Sequence, residues 1–183
     1  MNNVFVISAA IVIALASCRT KGGKMVLPED DIYIPTKEET ANYWKEFSRE
    51  ESIRIDMFVD RHKWNVAESG TGLRYLIFEQ GEGEIARPGM IATVDFEIRL
   101  LDADTTLCYV SEEPVKFLIE QDNVESGLHE GITYMRVGDR AMLILPHYLA
   151  HGLVGDEENI PPMSTIIYNI KLLAVENRNN HTN

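Results

Sequence analysis

Polar and apolar positions change their spacing twice along this chain. From Thr36 to Asn65 the segment TKEETANYWKEFSREESIRIDMFVDRHKWN lacks Gly and Pro and opens on a Thr36-x-x-Glu39 capping-box pattern. Its apolar residues Tyr43, Phe47, Ile55, Phe58 and Val59 recur at three- and four-residue steps, which predicts one long helix or two short ones with a stripe that must be covered. The stripe has two readings: packing on the chain's own domain, or an arm for a homodimer, although no regular heptad favours the arm. Past the turn at Glu68 to Gly72 the period falls to two. MIATVDFEIRLL places Val94, Phe96, Ile98 and Leu100 on one face and Asp95, Glu97 and Arg99 on the other. STIIYNIKLLAVE aligns Ile166, Tyr168, Ile170 and Leu172 in the same way, and LRYLIF, VKFLIE and RAMLILP add shorter strands. Val124, Leu128, Ile132 and Met135 return to helical spacing. One short helix among about five antiparallel strands defines an α+β fold.

The N-terminus follows a different rule. Residues 4–17, VFVISAAIVIALAS, are almost wholly apolar, but the run is shorter than the roughly 20 residues that cross a bilayer. It therefore reads as the core of a signal peptide over residues 1–17, although no Lys or Arg precedes it. Leu15-Ala16-Ser17-Cys18 resembles the lipobox of bacterial lipoproteins, which implies lipidation at Cys18 and anchoring by several acyl chains at about 0.8 kcal/mol per buried methylene. Residues 18–35 carry Gly22, Gly23, Pro28 and Pro35 and read as a flexible tether. A helical segment over 36–68, a folded domain over 69–176 and a polar tail over 177–183 complete the expected layout.

Composition narrows the function. The 183 residues carry a net charge of −12 with no basic stripe, which argues against nucleic acid and against polybasic docking to anionic lipid. The acidic residues fall in short clusters, Glu50-Glu51 among them. With Cys18 lipidated, Cys108 is the one remaining thiol, and an inert one is the expectation. His129, His147 and His151 are the only nearby ligand candidates and have no Cys or HExxH framework, so they read as solvated loop histidines and no metal is assigned.

Six motifs in order carry a resemblance. They are Gly72-Leu73-Arg74-Tyr75 with Gly81-x-Gly83; Arg87-Pro88-Gly89 before a V-x-F strand; Glu113-Pro-Val-Lys-Phe117; Gly127-Leu-x-Glu-Gly131; Met135-x-Val-Gly-Asp-Arg-Ala141; and IPPxSTIIYxIxLL from Ile160 to Leu173. Over roughly residues 70–176 the chain resembles the FKBP-type peptidyl-prolyl cis-trans isomerases, and its layout is similar to lipoprotein members with a helical segment ahead of the domain, including gliding-motility-associated ones. The resemblance implies an FKBP-like five-stranded antiparallel half-barrel wrapped around one short helix. It also implies proline-containing polypeptide clients, no cofactor, and a place in the bacterial cell envelope. Arg19 after the lipidated cysteine, where an Asp would mark inner-membrane retention in some bacteria, favours the outer membrane facing the periplasm and leaves the inner membrane open.

Carried over by position, the resemblance puts Phe96, Leu107, Cys108, Val124, Leu128, His151, Ile160 and Tyr168 at catalytic places and Val115, Phe117 and Glu125 at substrate-binding ones. Several depart from the family pattern. Phe96 stands where Tyr is usual, Leu107-Cys108 where Phe-Asp is usual, Val115 in an aromatic place, Glu125 where Ile is usual, and His151 in place of a flap Tyr. Weakened turnover, or a chaperone or peptide-holding module without turnover, is the alternative these departures imply.

Overall fold

The computed structural model describes residues 34–178. The expected signal peptide, Cys18, all but the end of the tether, and most of the polar tail lie outside the described residues. Among those described, no helix is long and apolar enough to cross a membrane.

The helical segment is one helix, α1 (Lys37–His62), with Glu38 and Glu39 in its first turn and Arg61 and His62 in its last, each charge favourable to the helix dipole. A seven-stranded antiparallel sheet follows. Its strands are β1 (Ala67–Glu68), β2 (Arg74–Glu79), β3 (Met90–Leu100), β4 (Leu107–Val110), β5 (Val115–Leu118), β6 (Arg140–Leu145) and β7 (Ile166–Asn177). The order is β1-β2-β6-β7-β3-β4, with β5 also on β3. Five of these strands follow the alternation in the sequence. β1 and β4 are too short to show any.

A second helix, α2 (Ser126–Ile132), lies against one face of the sheet. It sits close because its sheet-facing positions four residues apart are glycines. A Cβ on Gly127 would stand 2.5 Å from Leu145 Cγ and 3.0 Å from the Leu149 carbonyl, and one on Gly131 would stand 2.5 Å from Leu143 Cδ1. Leu128 and Ile132 of α2 join Leu143, Leu145, Ile166, Tyr168 and Ile170 in the main core.

α1 covers the opposite face. Ile55, Phe58 and Val59 pack on Ile144 and Ile167, which alternate with the core residues of β6 and β7. The apolar stripe of α1 is thus covered by the chain's own sheet over its C-terminal half, whereas Tyr43 is 60% exposed.

Two polar anchors fix this helix. Arg74, buried on β2, donates to Ser52 Oγ at 2.7 Å, Asp56 Oδ1 at 2.9 Å and the Gly72 carbonyl at 2.8 Å. Glu51, only 1% exposed, accepts from the His147 backbone N–H at 2.8 Å and from the Thr165 hydroxyl at 2.6 Å, and its Oε2 lies 2.7 Å from His147 Nδ1. One expectation is corrected here: His147 is not a solvated loop histidine but is buried together with Glu51. The two bury each other, since an unpaired buried charge would be costly.

Candidate active site

Strand β3 changes partner halfway. Ile91 to Val94 pair with β5, and Glu97 to Arg99 pair with β4, the second pairing interrupted by a bulge at Ile98/Arg99. Between the two partners the sheet opens into a cleft of about 580 Å³. Val94, Phe96 and Ile98 form its β3 wall, the face that alternation assigned them. Val110 and Val115 line it where β4 and β5 diverge, Val124, Glu125 and Leu128 come from the start of α2, and Ala150, His151 and Asp156 come from the segment after β6.

Tyr168 projects from β7, in register with Ile98 on β3 and Leu143 on β6. Its ring meets Phe96 edge to face, with centroids 5.6 Å apart and planes at 62°, the arrangement aromatic quadrupoles prefer. Phe117 and Leu128, each 3% exposed, close the base.

The polar groups converge on one carboxylate. The Tyr168 hydroxyl donates to Glu125 Oε1 at 2.9 Å. Burial first, and the carboxylate second, push the phenol pKa well above its ordinary value, so the group stays a donor. His151 Nε2 lies 2.8 Å from the same oxygen but off the ring N–H axis, and makes no aligned hydrogen bond.

Across the cleft the Tyr109 hydroxyl donates to Asp156, which also accepts the backbone N–H groups of Glu158, Asn159 and Ile160. Burial raises the Asp156 pKa, but these donors together outweigh it and hold the carboxyl at about 2. The loop beside the cleft is therefore tied together around this carboxylate.

Of the residues singled out in the sequence, Phe96, Val115, Phe117, Val124, Glu125, Leu128, His151 and Tyr168 come together on the cleft. Leu107 and Cys108 do not. Leu107 opens β4 and is 47% exposed, while the Cys108 thiol faces the carbonyls of Thr106 and Asn159 at 3.7 and 3.6 Å. Burial and the nearby Asp156 raise that thiol's pKa, the condition of an unreactive cysteine. The β4 pair that does face the cleft is Tyr109-Val110, two residues further on. Ile160 is 2% exposed and belongs to the main core behind the cleft, its backbone N–H bonded to the lining residue Asp156 at 2.7 Å.

The signal that would have found Tyr109 was its being the one aromatic residue in the hairpin's second strand. Asn123, Ala150 and Asp156 were also missed. Asp156 gave no hydrophobic pattern to follow. Among the described residues no cluster of three or more His, Cys, Asp or Glu is placed to hold a metal. His129 is engaged by the Glu120 N–H and the Asp122 carbonyl, each at 2.9 Å.

The family model of the FKBP-type peptidyl-prolyl cis-trans isomerases matches residues 82–173, half of the chain. The chain belongs to this family. Among relatives, the FKBP-type peptidyl-prolyl cis-trans isomerase FkpA of Escherichia coli K12 is 33% identical over 112 residues, 61% of this chain and 40% of that protein. A probable FkpA of Neisseria meningitidis is 32% identical over 114 residues, 62% and 41% respectively. The chain thus matches about two-fifths of the length of these relatives.

The crystal structure of E. coli FkpA superposes with a TM-score of 0.61 at 25% identity, over 78% of this chain and 74% of that one. The N-terminal domain of FKBP42 from Arabidopsis thaliana, at 18% identity and a TM-score of 0.57 over 61% of this chain and 92% of that one, shares the fold. The FKBP-like fold therefore stands, with α1 ahead of it.

Proposed function

We propose that the cleft catalyses cis-trans isomerisation of X-Pro bonds in polypeptides. The observation that carries this reading is the pairing of Phe96 and Tyr168 edge to face at the base of a cleft of about 580 Å³, roomy enough for a pyrrolidine ring. Rotation of an X-Pro amide passes through a twisted state in which nitrogen loses its conjugation, and it takes tens to hundreds of seconds uncatalysed. The twisted amide is less polar at its oxygen than the planar one. Walls such as Val94, Phe96, Phe117, Val124 and Leu128, which strip water from it, favour it over the planar ground state. No proton transfer or covalent step is required, so the polar groups serve to orient the peptide.

The apolar leader, the Cys18 motif and the bacterial relatives support the finer reading of an envelope lipoprotein that assists folding of exported proteins. Mass spectrometry of the mature N-terminus tests it: a diacylglyceryl-modified Cys18 is expected, and an unmodified cysteine would overturn it.

Isomerase activity is tested by following cis-to-trans relaxation of a Leu-Pro peptide with the purified protein. Acceleration is expected, with Phe96→Ala losing about tenfold, the factor that 1.36 kcal/mol of barrier represents. A second reading, a peptide-holding module without turnover, is favoured by the aliphatic walls at Val110, Val115 and Leu128. Binding of the peptide with an uncatalysed relaxation rate would establish it.

A further inference from the structure

A carboxylate at the heart of an apolar cleft needs a reason, because burying it costs free energy that an aliphatic side chain at the same place would not incur. Glu125 is that carboxylate. Its side chain is 11% exposed and lines the cleft directly. Oε1 accepts the Tyr168 hydroxyl and lies beside His151, while Oε2 takes no hydrogen bond from the described residues. One oxygen is held in place and the other is left for whatever enters.

The rest of the cleft has the same sign. Asp156 is the second carboxylate in its lining, and no Lys or Arg contributes to it. The segments that continue its walls add Glu112, Glu113, Glu157 and Glu158. From Pro146 to Met163 there is no Lys or Arg at all. On β5 the single cation, Lys116, is turned to Glu176 at 3.1 Å. Arg140 and Lys171 line only the adjoining hollow that shares Phe96 and Val110, so a peptide entering the cleft itself meets an apolar base and two carboxylates, which favours cationic partners over anionic ones.

We infer that Glu125 is a specificity-determining residue, and that the cleft selects proline segments bearing a Lys or Arg next to the proline. The inference rests on the isomerase reading and narrows its substrate class. The long aliphatic stem of either residue suits the apolar walls while its head reaches Glu125 Oε2.

The test compares relaxation of two peptide series at pH 8 and low ionic strength, Ala-Xaa-Pro-Phe and Ala-Ala-Pro-Xaa, with Xaa as Leu, Lys or Glu. In at least one series kcat/KM for Lys is expected to exceed that for Glu by about tenfold or more. That ratio should shrink toward one in about 1 M salt, where the Debye length is about 3 Å. Glu125→Gln keeps an oxygen for the Tyr168 hydroxyl and should cut the Lys-to-Glu ratio to about threefold or less, a ratio independent of how much of the protein is active. Acceleration of the Leu peptides with equal rates for Lys and Glu would overturn the inference and leave the isomerase reading intact. An unchanged ratio in Glu125→Gln would also overturn it. No acceleration of any peptide would instead overturn the isomerase reading itself.

Discussion

The two faces of the sheet solve opposite problems with similar residues. On the face under α1, two polar anchors are engaged, the buried Glu51 accepting from His147 and Thr165, and the buried Arg74 donating to Ser52 and Asp56. On the face under α2, Glu125 and His151 are left partly unsatisfied beside an open cleft. The first arrangement is a seal, in which nearly every polar group has a partner and nothing remains to bind a ligand. The second is a site, in which aliphatic residues and a half-engaged carboxylate leave both space and an acceptor. The two meet at one segment: Pro146 follows β6, His147 is tied to α1, and His151, four residues on, stands over the cleft. The sealed face therefore holds the roof of the open one.

The sealed face should prove the more fragile. Glu51→Ala would strip partners from the His147 N–H, the His147 ring and the Thr165 hydroxyl at once, and is expected to cost about 3–5 kcal/mol, as breaking a buried pair does. Denaturant unfolding measures it, with Glu51→Gln expected to cost less because its amide oxygen still accepts. A cost for Glu51→Ala no larger than that of an average surface substitution would erase the contrast between the faces.

Next in size is the contact that sets the depth of the cleft. Gly127→Ala would press a methyl group on Leu145 and the Leu149 carbonyl, an overpacking cost of about 1–3 kcal/mol, offset by at most about 1 kcal/mol of helix propensity. A net loss of stability with weakened peptide binding is expected from unfolding and titration measurements. Stabilisation would mean that α2 can lift without consequence.

Smaller still is Tyr168→Phe, which removes the one aligned donor to the Glu125 carboxylate side chain while keeping the ring against Phe96. A loss of about 1.5 kcal/mol is expected from denaturant unfolding. No loss would show that Glu125 is held by something other than this hydroxyl.

Much of this contrast was legible in the sequence, and the reasons differ by element. Alternation on β3 and β7 and the four-residue spacing of α2 report burial directly, and the family resemblance, carried over by position, then put Phe96, Leu128 and Tyr168 at the site. Leu107-Cys108 could not stand in for Tyr109-Val110, because β4 takes its register from a hairpin and from the bulge at Ile98/Arg99, neither of which leaves a periodic trace. Glu51 was legible only as part of the acidic pair Glu50-Glu51 in a helical segment. What buries it is a histidine 96 residues away, and a contact at that separation has no local signature. Glu125 was visible only as an oddity, a charge where an aliphatic residue is usual in the family, and its meaning needed Tyr168 and His151 beside it.

The smallest effect expected is one of pH, and it belongs to the open face. The folded Asp156 carboxyl, at about 2, lies below its unfolded value near 3.9. Its hydrogen bonds therefore stabilise the loop fully above the unfolded value and are lost as pH falls through the folded one. Acidification from about pH 5 to about pH 2 should release the Tyr109 hydroxyl and the amides of Glu158, Asn159 and Ile160. Amide hydrogen exchange would report this as local loss of protection, after correction for the intrinsic pH dependence of exchange. The amides of the loop should lose protection before those of α1, because the bonds to Asp156 are the ones that go. Simultaneous loss on both faces would show that they form a single cooperative unit rather than a seal and a site.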